Sequence, residues 1–254
     1  MSDQKTRVML ITGAAGGIGR ATVKYFAESG WRVIGVDRAE FGEGFPPDGL
    51  FIRADNSEEK QIRAVYEQVL AFSPTLDAVI NNAAIQIHKP IVETSSEEWD
   101  SVMASNLRSV YLHARWGHPL LKASGNAAIV NVSSVHAVAT SKNISAYAAS
   151  KGGILALTRA MAIEFAEDNI RVNAILPGAV DTPMLRASMV RGLSDGTVLE
   201  RLENLAQKTV NGRIGQPEEI ARVIYFLADS NMSSFMTGQA LVVDGGATAR
   251  LSTE

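Results

Sequence analysis

Tyr147 and Lys151 lie four residues apart in the stretch Tyr147-Ala148-Ala149-Ser150-Lys151. They sit in an apolar, helix-forming run from Ala146 to about Phe165. Residues four apart share one face of a helix, so the phenol and the ammonium point the same way. A tyrosine hydroxyl titrates near pH 10, and a neighbouring cation favours its ionised form. Lowering the phenol pKa by ~3 units takes about 4 kcal/mol, which one partly desolvated ammonium could largely supply. The pair is therefore expected to act as a general acid/base tuned towards neutrality. An ordinary helix with a half-buried tyrosine and a surface lysine shows the same spacing, so the pair acquires meaning only from its surroundings.

A second group of residues suggests a nucleotide. Gly13-x-x-x-Gly17-x-Gly19 follows the apolar run Val8-Met9-Leu10-Ile11. Small residues at such a turn let backbone N–H groups and a helix N-terminus approach a pyrophosphate. Asp37 closes the next apolar run. A carboxylate there can accept from both adenosine ribose hydroxyls and repel a 2′-phosphate, which favours NAD over NADP. Arg38 beside it could pair with a phosphate and pulls the other way. Asp55, after a third run, is placed to accept from an adenine amino group, or equally to serve as a loop or capping carboxylate.

The elements that must position these groups follow from the same pattern. Short apolar runs at Arg7–Thr12, Trp31–Val36, Leu50–Arg53, Leu76–Ile80, Ala127–Val132, Ile170–Leu176 and Ala240–Val243 read as strands buried on both faces. Helical spacing fills the intervals: Arg20 to Ser29, Ser57 to Phe72 with Ser57 as N-cap, Ser95 to about Leu121 opened by the capping box Ser95-x-x-Glu98, and Pro217 to Ala228. Residues 179–212 are polar and poorly patterned, and are expected to form a substrate-binding loop. The alternation predicts one α/β domain over residues 1–254: a Rossmann-type, doubly wound parallel sheet of about seven strands with helices on both faces. Ligands in such sheets bind beyond the carboxyl ends of the strands. Nearly every chemically suggestive residue lies just after a strand or at the start of the next helix.

Composition excludes several classes. The chain has 254 residues, 46% apolar and 20% charged, with a net charge of −3. That balance gives no reason to expect nucleic acid or an anionic membrane as partner. The absence of cysteine rules out disulfides, thiolate catalysis and Cys-ligated metals. No His/Asp/Glu cluster has ligand spacing, so no metal is expected. The polar N-terminus lacks the apolar core of a signal peptide, and residence in the cytoplasm is the expectation.

Taken in order, these pieces resemble the short-chain dehydrogenase/reductase family over essentially the whole chain. The residues that carry the resemblance are Thr12-Gly13-x-x-x-Gly17-Ile18-Gly19, Asp55, Asn81-Asn82-Ala83, Asn106, Ser134, Tyr147-x-x-x-Lys151, Pro177-Gly178 with Thr182, and Asp244-Gly245-Gly246. The resemblance implies that Tyr147 exchanges the proton of the substrate oxygen. It implies that Lys151 lowers the phenol pKa and holds the nicotinamide ribose, and that Ser134 hydrogen-bonds the reacting oxygen. Asn106 would complete a proton relay through water to Lys151. Gly13, Gly17, Ile18, Gly19, Asp37, Asp55, Asn56, Asn82 and Ala83 would line the cofactor, with Pro177, Gly178, Val180 and Thr182 at the nicotinamide. Ala84 departs from the family's usual glycine. A homotetramer is also implied.

The substrate is expected to be a small polar alcohol or ketone, because Gln86, His88, His136 and Asn143 fall near the reacting centre. Gln86, Ser134, His136 and Tyr147 are the expected substrate contacts. A sugar or polyol leads on polarity. Asn81–Gln86 and Ser134-Val135-His136 are similar to 3-hydroxybutyrate dehydrogenases, but Ile144 and Ala179 stand where that subfamily has lysine and tryptophan. Asp37 disfavours a 3-oxoacyl reductase, since those usually prefer NADP. A non-catalytic NAD-binding regulator is the alternative from another class, although such a protein needs no proton relay.

Overall fold

The structure is a computed structural model that describes residues 6–42, 44–190 and 197–249. Residues 191–196 of the expected substrate loop, and residues 1–5, 43 and 250–254 of the expected domain, lie outside the described residues.

All seven expected strands form: β1 Val8–Thr12, β2 Arg32–Asp37, β3 Leu50–Arg53, β4 Ala78–Asn81, β5 Ala127–Val132, β6 Ile170–Pro177 and β7 Ala240–Val243. They make one parallel sheet in the order β3-β2-β1-β4-β5-β6-β7. The chain winds outward in one direction from β1 and in the other from β4. That reversal leaves a crevice beyond the carboxyl ends of these two strands.

The strands are buried on both faces, so alternate residues feed two separate cores. Val8 and Leu10 of β1 join the core under α2 (Glu59–Phe72), α4 (Ser109–Ser124) and α5 (Ser145–Glu164). Met9 and Ile11 join the core under α1 (Gly17–Glu28) and the Pro217–Ala228 helix. Phe26 is fully buried there and packs edge-on against Trp31 and Tyr225. Burying one such side chain contributes about 1.5–3 kcal/mol.

Three helix boundaries differ from expectation. α1 starts at Gly17 rather than Arg20, so its first turn is built from the glycine cluster itself. α2 starts at Glu59, and Ser57 does not cap it. The Ser57 hydroxyl instead donates to Asp55 Oδ1 at 2.7 Å, a short local bond that competes with capping. The expected long helix after Ser95 does open with its capping box, but it is not continuous. α3 (Ser96–Met103) passes through a π-turn, Ala104–Arg108, into α4. Gly125, with φ of 80°, ends α4 in the left-handed conformation that glycine adopts without strain.

Beyond β6 come α6 (Pro183–Val190), α7 (Val198–Ala206), α8 (Pro217–Ala228) and α9 (Ser230–Ser233). None of the described helices is long and apolar enough to cross a membrane.

Candidate active site

Loops from the carboxyl ends of β1, β2, β3, β4, β5 and β6 line one continuous cleft of about 1250 Å³. At its floor, the turn from β1 into α1 is held by its neighbour. Thr12 Oγ1 accepts from the N–H groups of Asn82 and Ala83, at 3.0 Å each. Asn82 Nδ2 donates back to the carbonyls of Thr12 and Gly13, also at 3.0 Å each. Thr12 was visible in the sequence only as the residue before the first glycine; its hydroxyl fastens β1 to β4.

The glycines are required by geometry. Gly13 has φ of +66°, and a Cβ there would lie 2.8 Å from Ala83 Cα. A Cβ on Gly19 would lie 2.0 Å from the Gly13 carbonyl oxygen, and one on Gly17 would meet the Thr182 methyl at 2.8 Å. No side chain caps α1. Gly17 and Ile18 line the cleft at this uncapped helix start, as a pyrophosphate-binding helix terminus requires, while Gly19 is buried behind them against the turn.

Asp37 lies at one wall of this turn. Its carboxylate accepts from Ala15 N–H and Ala39 N–H, at 2.9 Å each, which fixes its orientation. Asp55 lies further along. Burial works to raise its pKa, but the Ser57 N–H, the Ser57 hydroxyl and the Arg38 charge outweigh that and hold the carboxyl below its usual range. Asn56 lines the same wall, yet its side-chain oxygen is turned inward to His113 Nε2 at 2.8 Å.

At the far end of the cleft the titratable groups come together. Tyr147 and Lys151 are both buried on α5, with Lys151 Nζ 5.5 Å from the centre of the phenol ring. Ser134 hydrogen-bonds the phenol. The hydroxyl of Ser133 points away instead and donates to the Lys151 carbonyl at 2.8 Å. His136 lies edge-on to Tyr147, ring centres 6.0 Å apart, and its Nδ1 is 3.2 Å from Thr140 Oγ1. Burial lowers the His136 pKa. Gln86, His88 and Asn143 line the same end.

Two arrangements in this group bear on the expected roles of Lys151 and Asn106. The first is the burial of the Tyr147–Lys151 pair. Burial dominates both residues: it pushes Tyr147 up to about 12, against the Ser134 hydrogen bond, and Lys151 down to about 7. Desolvation disfavours the charged form of each, and Lys151 Nζ donates to the Val132 carbonyl at 2.8 Å rather than to the phenol. The second is the bonding of the Asn106 side chain. The Asn106 side chain accepts from Ile85 N–H at 2.8 Å and donates to the Ile85 carbonyl at 2.9 Å and Ser150 Oγ at 3.1 Å. Both its N–H groups are committed, so its amide braces the segment after β4. Ser150, unnoticed in the sequence, joins it to the Tyr147 carbonyl through a 2.7 Å bond.

Pro177, Gly178, Val180 and Thr182 form the wall after β6. A Cβ on Gly178 would lie 2.7 Å from Asp244 Cβ, and Thr182 Oγ1 accepts from Leu185 N–H in the first turn of α6. Among the described residues, no group of histidine and carboxylate side chains could hold a metal.

A parallel sheet whose switch-point crevice carries a glycine turn at one end and a buried Tyr–Lys pair at the other defines a dinucleotide-dependent oxidoreductase. Comparison with known proteins makes this specific. The family model described as Enoyl-(Acyl carrier protein) reductase matches residues 13–248. A 3-oxoacyl-(acyl-carrier-protein) reductase of Thermotoga maritima is 37% identical, covering 94% of this chain and 97% of its own. A cis-4-hydroxycyclohexanecarboxylate dehydrogenase of Sinomonas cyclohexanicum is 36% identical, covering 96% and 97%. The ligand-free structure of an aldohexose dehydrogenase from Thermoplasma acidophilum superposes with a TM-score of 0.92 at 32% identity, covering 100% and 98%. The chain belongs to the short-chain dehydrogenase/reductase family and is an oxidoreductase acting on CH–OH groups with a nicotinamide cofactor.

Proposed function

We propose that the protein is an NAD-preferring dehydrogenase that interconverts a secondary alcohol and a ketone or lactone of a small polar substrate, foremost a sugar or polyol. The observation that carries this reading is the shared cleft: Ser134, Tyr147 and Lys151 open onto the same crevice as the glycine turn and Asp37. The bound nicotinamide supplies the hydride acceptor or donor. Tyr147 exchanges the proton on the substrate oxygen, and Ser134 hydrogen-bonds that oxygen. Lys151 holds the nicotinamide ribose, and Asn106 completes a proton relay through water to Lys151 while its side chain, with Ser150, keeps the helix that carries Tyr147 in place. Gln86 and His136 contact the rest of the substrate.

NAD preference is supported by Asp37, an anion held rigidly by two backbone N–H groups where a 2′-phosphate would have to lie. The Arg38 charge acts on Asp55, which reduces its value as a phosphate partner. Asp37→Ala should shift the NAD/NADP preference towards NADP by about tenfold, since it removes a like-charge juxtaposition. An unchanged ratio of kcat/KM values places Asp37 away from the ribose.

Sugar or polyol substrates are supported by Gln86, His88, Thr140 and Asn143 lining the Tyr147 end, and by the aldohexose dehydrogenase likeness. One observation favours a second reading, a hydroxy acid. Arg201 and Lys208 also line the cleft, whereas its described carboxylates are Asp37 and Asp55 at the opposite end. The relative named for a hydroxycyclohexanecarboxylate accords with that charge distribution. We further propose that residues 1–254 act as one NAD-binding unit, with 179–212 as the substrate-binding segment and a homotetramer as the assembly. Cytoplasmic residence is part of the proposal, on the strength of the cysteine-free composition.

The test is a nicotinamide-absorbance screen against aldoses, polyols, cyclitols and hydroxy acids. Turnover confined to neutral polyhydroxy compounds supports the first reading, and turnover confined to acids supports the second. Turnover of neither class overturns both.

A further inference from the structure

The loop after β3 is tied to the interior by a residue that the catalytic reading does not use. Asn56 lines the cofactor cleft, and its side-chain oxygen meets His113 Nε2 at 2.8 Å. An amide oxygen only accepts, so His113 carries its proton on Nε2 and presents a lone pair at Nδ1. The Tyr66 hydroxyl lies 3.2 Å from that nitrogen and 2.9 Å from the His113 carbonyl. Asn56, His113 and Tyr66 are all buried, which makes the chain of bonds costly to break. Room for the Tyr66 hydroxyl depends on Gly117, where a Cβ would lie 2.9 Å from it.

A second tie runs parallel to the first. Arg108 Nη2 donates to the Ser57 carbonyl at 2.6 Å. Arg108 belongs to the π-turn and His113 to α4, so both ties come from the helical rod that carries Asn106. The segment 55–57 is thus fixed to the same rod that braces the opposite end of the cleft.

We propose that His113 is a positioning residue for the adenosine half of the cofactor site, acting through Asn56. The proposal rests on the reading that this cleft binds a dinucleotide. By holding the Asn56 side chain inward, His113 fixes the backbone of residues 55–57 and leaves Asp55 facing the cleft. Cofactor affinity then depends on a buried side chain that touches neither cofactor nor substrate. The dependence should be confined to ligands with an adenosine half.

The test uses the full chain and two ligands, NADH and reduced nicotinamide mononucleotide, which lacks adenosine. Dissociation constants come from nicotinamide fluorescence. His113→Leu removes the bond, and His113→Gln returns an N–H donor near the position of Nε2. With Leu the ratio of the two constants, NADH over mononucleotide, should rise about tenfold, the loss of one buried hydrogen bond. With Gln most of that change should disappear. A ratio within twofold of wild type in folded His113→Leu overturns the proposal, as does equal weakening of both ligands, which marks a purely structural role. If His113→Leu does not fold, Asn56→Ala breaks the same bond from the loop side: a raised ratio supports the proposal and an unchanged one overturns it. Failure of the wild-type protein to bind NADH overturns the underlying reading of the cleft instead.

Discussion

Burial acts on Tyr147 and Lys151 in opposite directions, raising the first to about 12 and lowering the second to about 7. The free enzyme therefore holds a neutral phenol at ordinary pH, a proton donor suited to reducing a ketone. Oxidation of an alcohol requires that proton to leave first. The oxidation rate should accordingly climb through the alkaline range while reduction falls, measured as kcat/KM against pH. Tyr147→Phe should lower turnover in both directions by at least about 10²-fold, the usual worth of a positioned acid/base, with NADH affinity within a few-fold of wild type. Full turnover in that variant removes Tyr147 from the chemistry. His113 gives a separate titration, because burial lowers its pKa from 6.5 to about 3. Between these values the unfolded chain takes up a proton that the folded one refuses, so stability falls as pH drops from 6.5 towards 3. Denaturant midpoints of His113→Gln should lose that part of the acid slope; an unchanged slope means that His113 is not the group responsible. At this scale the sequence marks Tyr147 and Lys151 by their spacing, and Ser134 only through the family resemblance. It hides the sign of the pKa shifts, because desolvation belongs to the packed state. It hides His113 for the same reason: its partners Asn56 and Tyr66 come from distant segments, and nothing local marks a histidine in an apolar helix.

The glycine turn and the first turn of α1 form one element, which explains why the helix starts three residues earlier than its apolar stripe. Gly19 tests this arrangement. A methyl group at 2.0 Å from the Gly13 carbonyl oxygen must push the turn open. Gly19→Ala should cost about 1–3 kcal/mol of stability, the usual range for overpacking. It should also weaken NADH binding more than any comparable change on the solvent side of α1. Wild-type affinity in this variant would falsify the close approach of backbone to cofactor. Strands were legible as elements because those buried on both faces read as continuous apolar runs. The π-turn was not, because Ala104–Arg108 satisfies helix propensity locally, and only the contacts of Asn106 with Ile85 and Ser150 call for the wider turn.

Over the whole molecule, strand order decides where the cleft lies. The reversal between β1 and β4 brings residues from six loops to one rim, and the βα alternation made that much readable in advance. Assembly is a different matter. β7 ends the sheet, with Val242 half exposed, and Phe235 just before it is fully exposed. An edge strand beside exposed apolar side chains is a ready surface for another chain. Sedimentation or native mass spectrometry at micromolar concentration should give four chains per particle, and a monomer would contradict the tetramer. The rod from α3 through α4 adds a constraint on length as distinct from composition. Each helical residue turns the chain by about 100°, so the wider turn at Ala104–Arg108 acts as a phase shift between two otherwise regular helices. Deleting one residue there would restore an ordinary helix and swing α3 by roughly that angle against α4. The Ser95 cap with its Glu98–Lys89 ion pair could then not stay in phase with Asn106, Arg108 and His113. Substitutions in this segment are open to compensation by their neighbours; a change in the number of its residues would unfasten both ends of the cleft together.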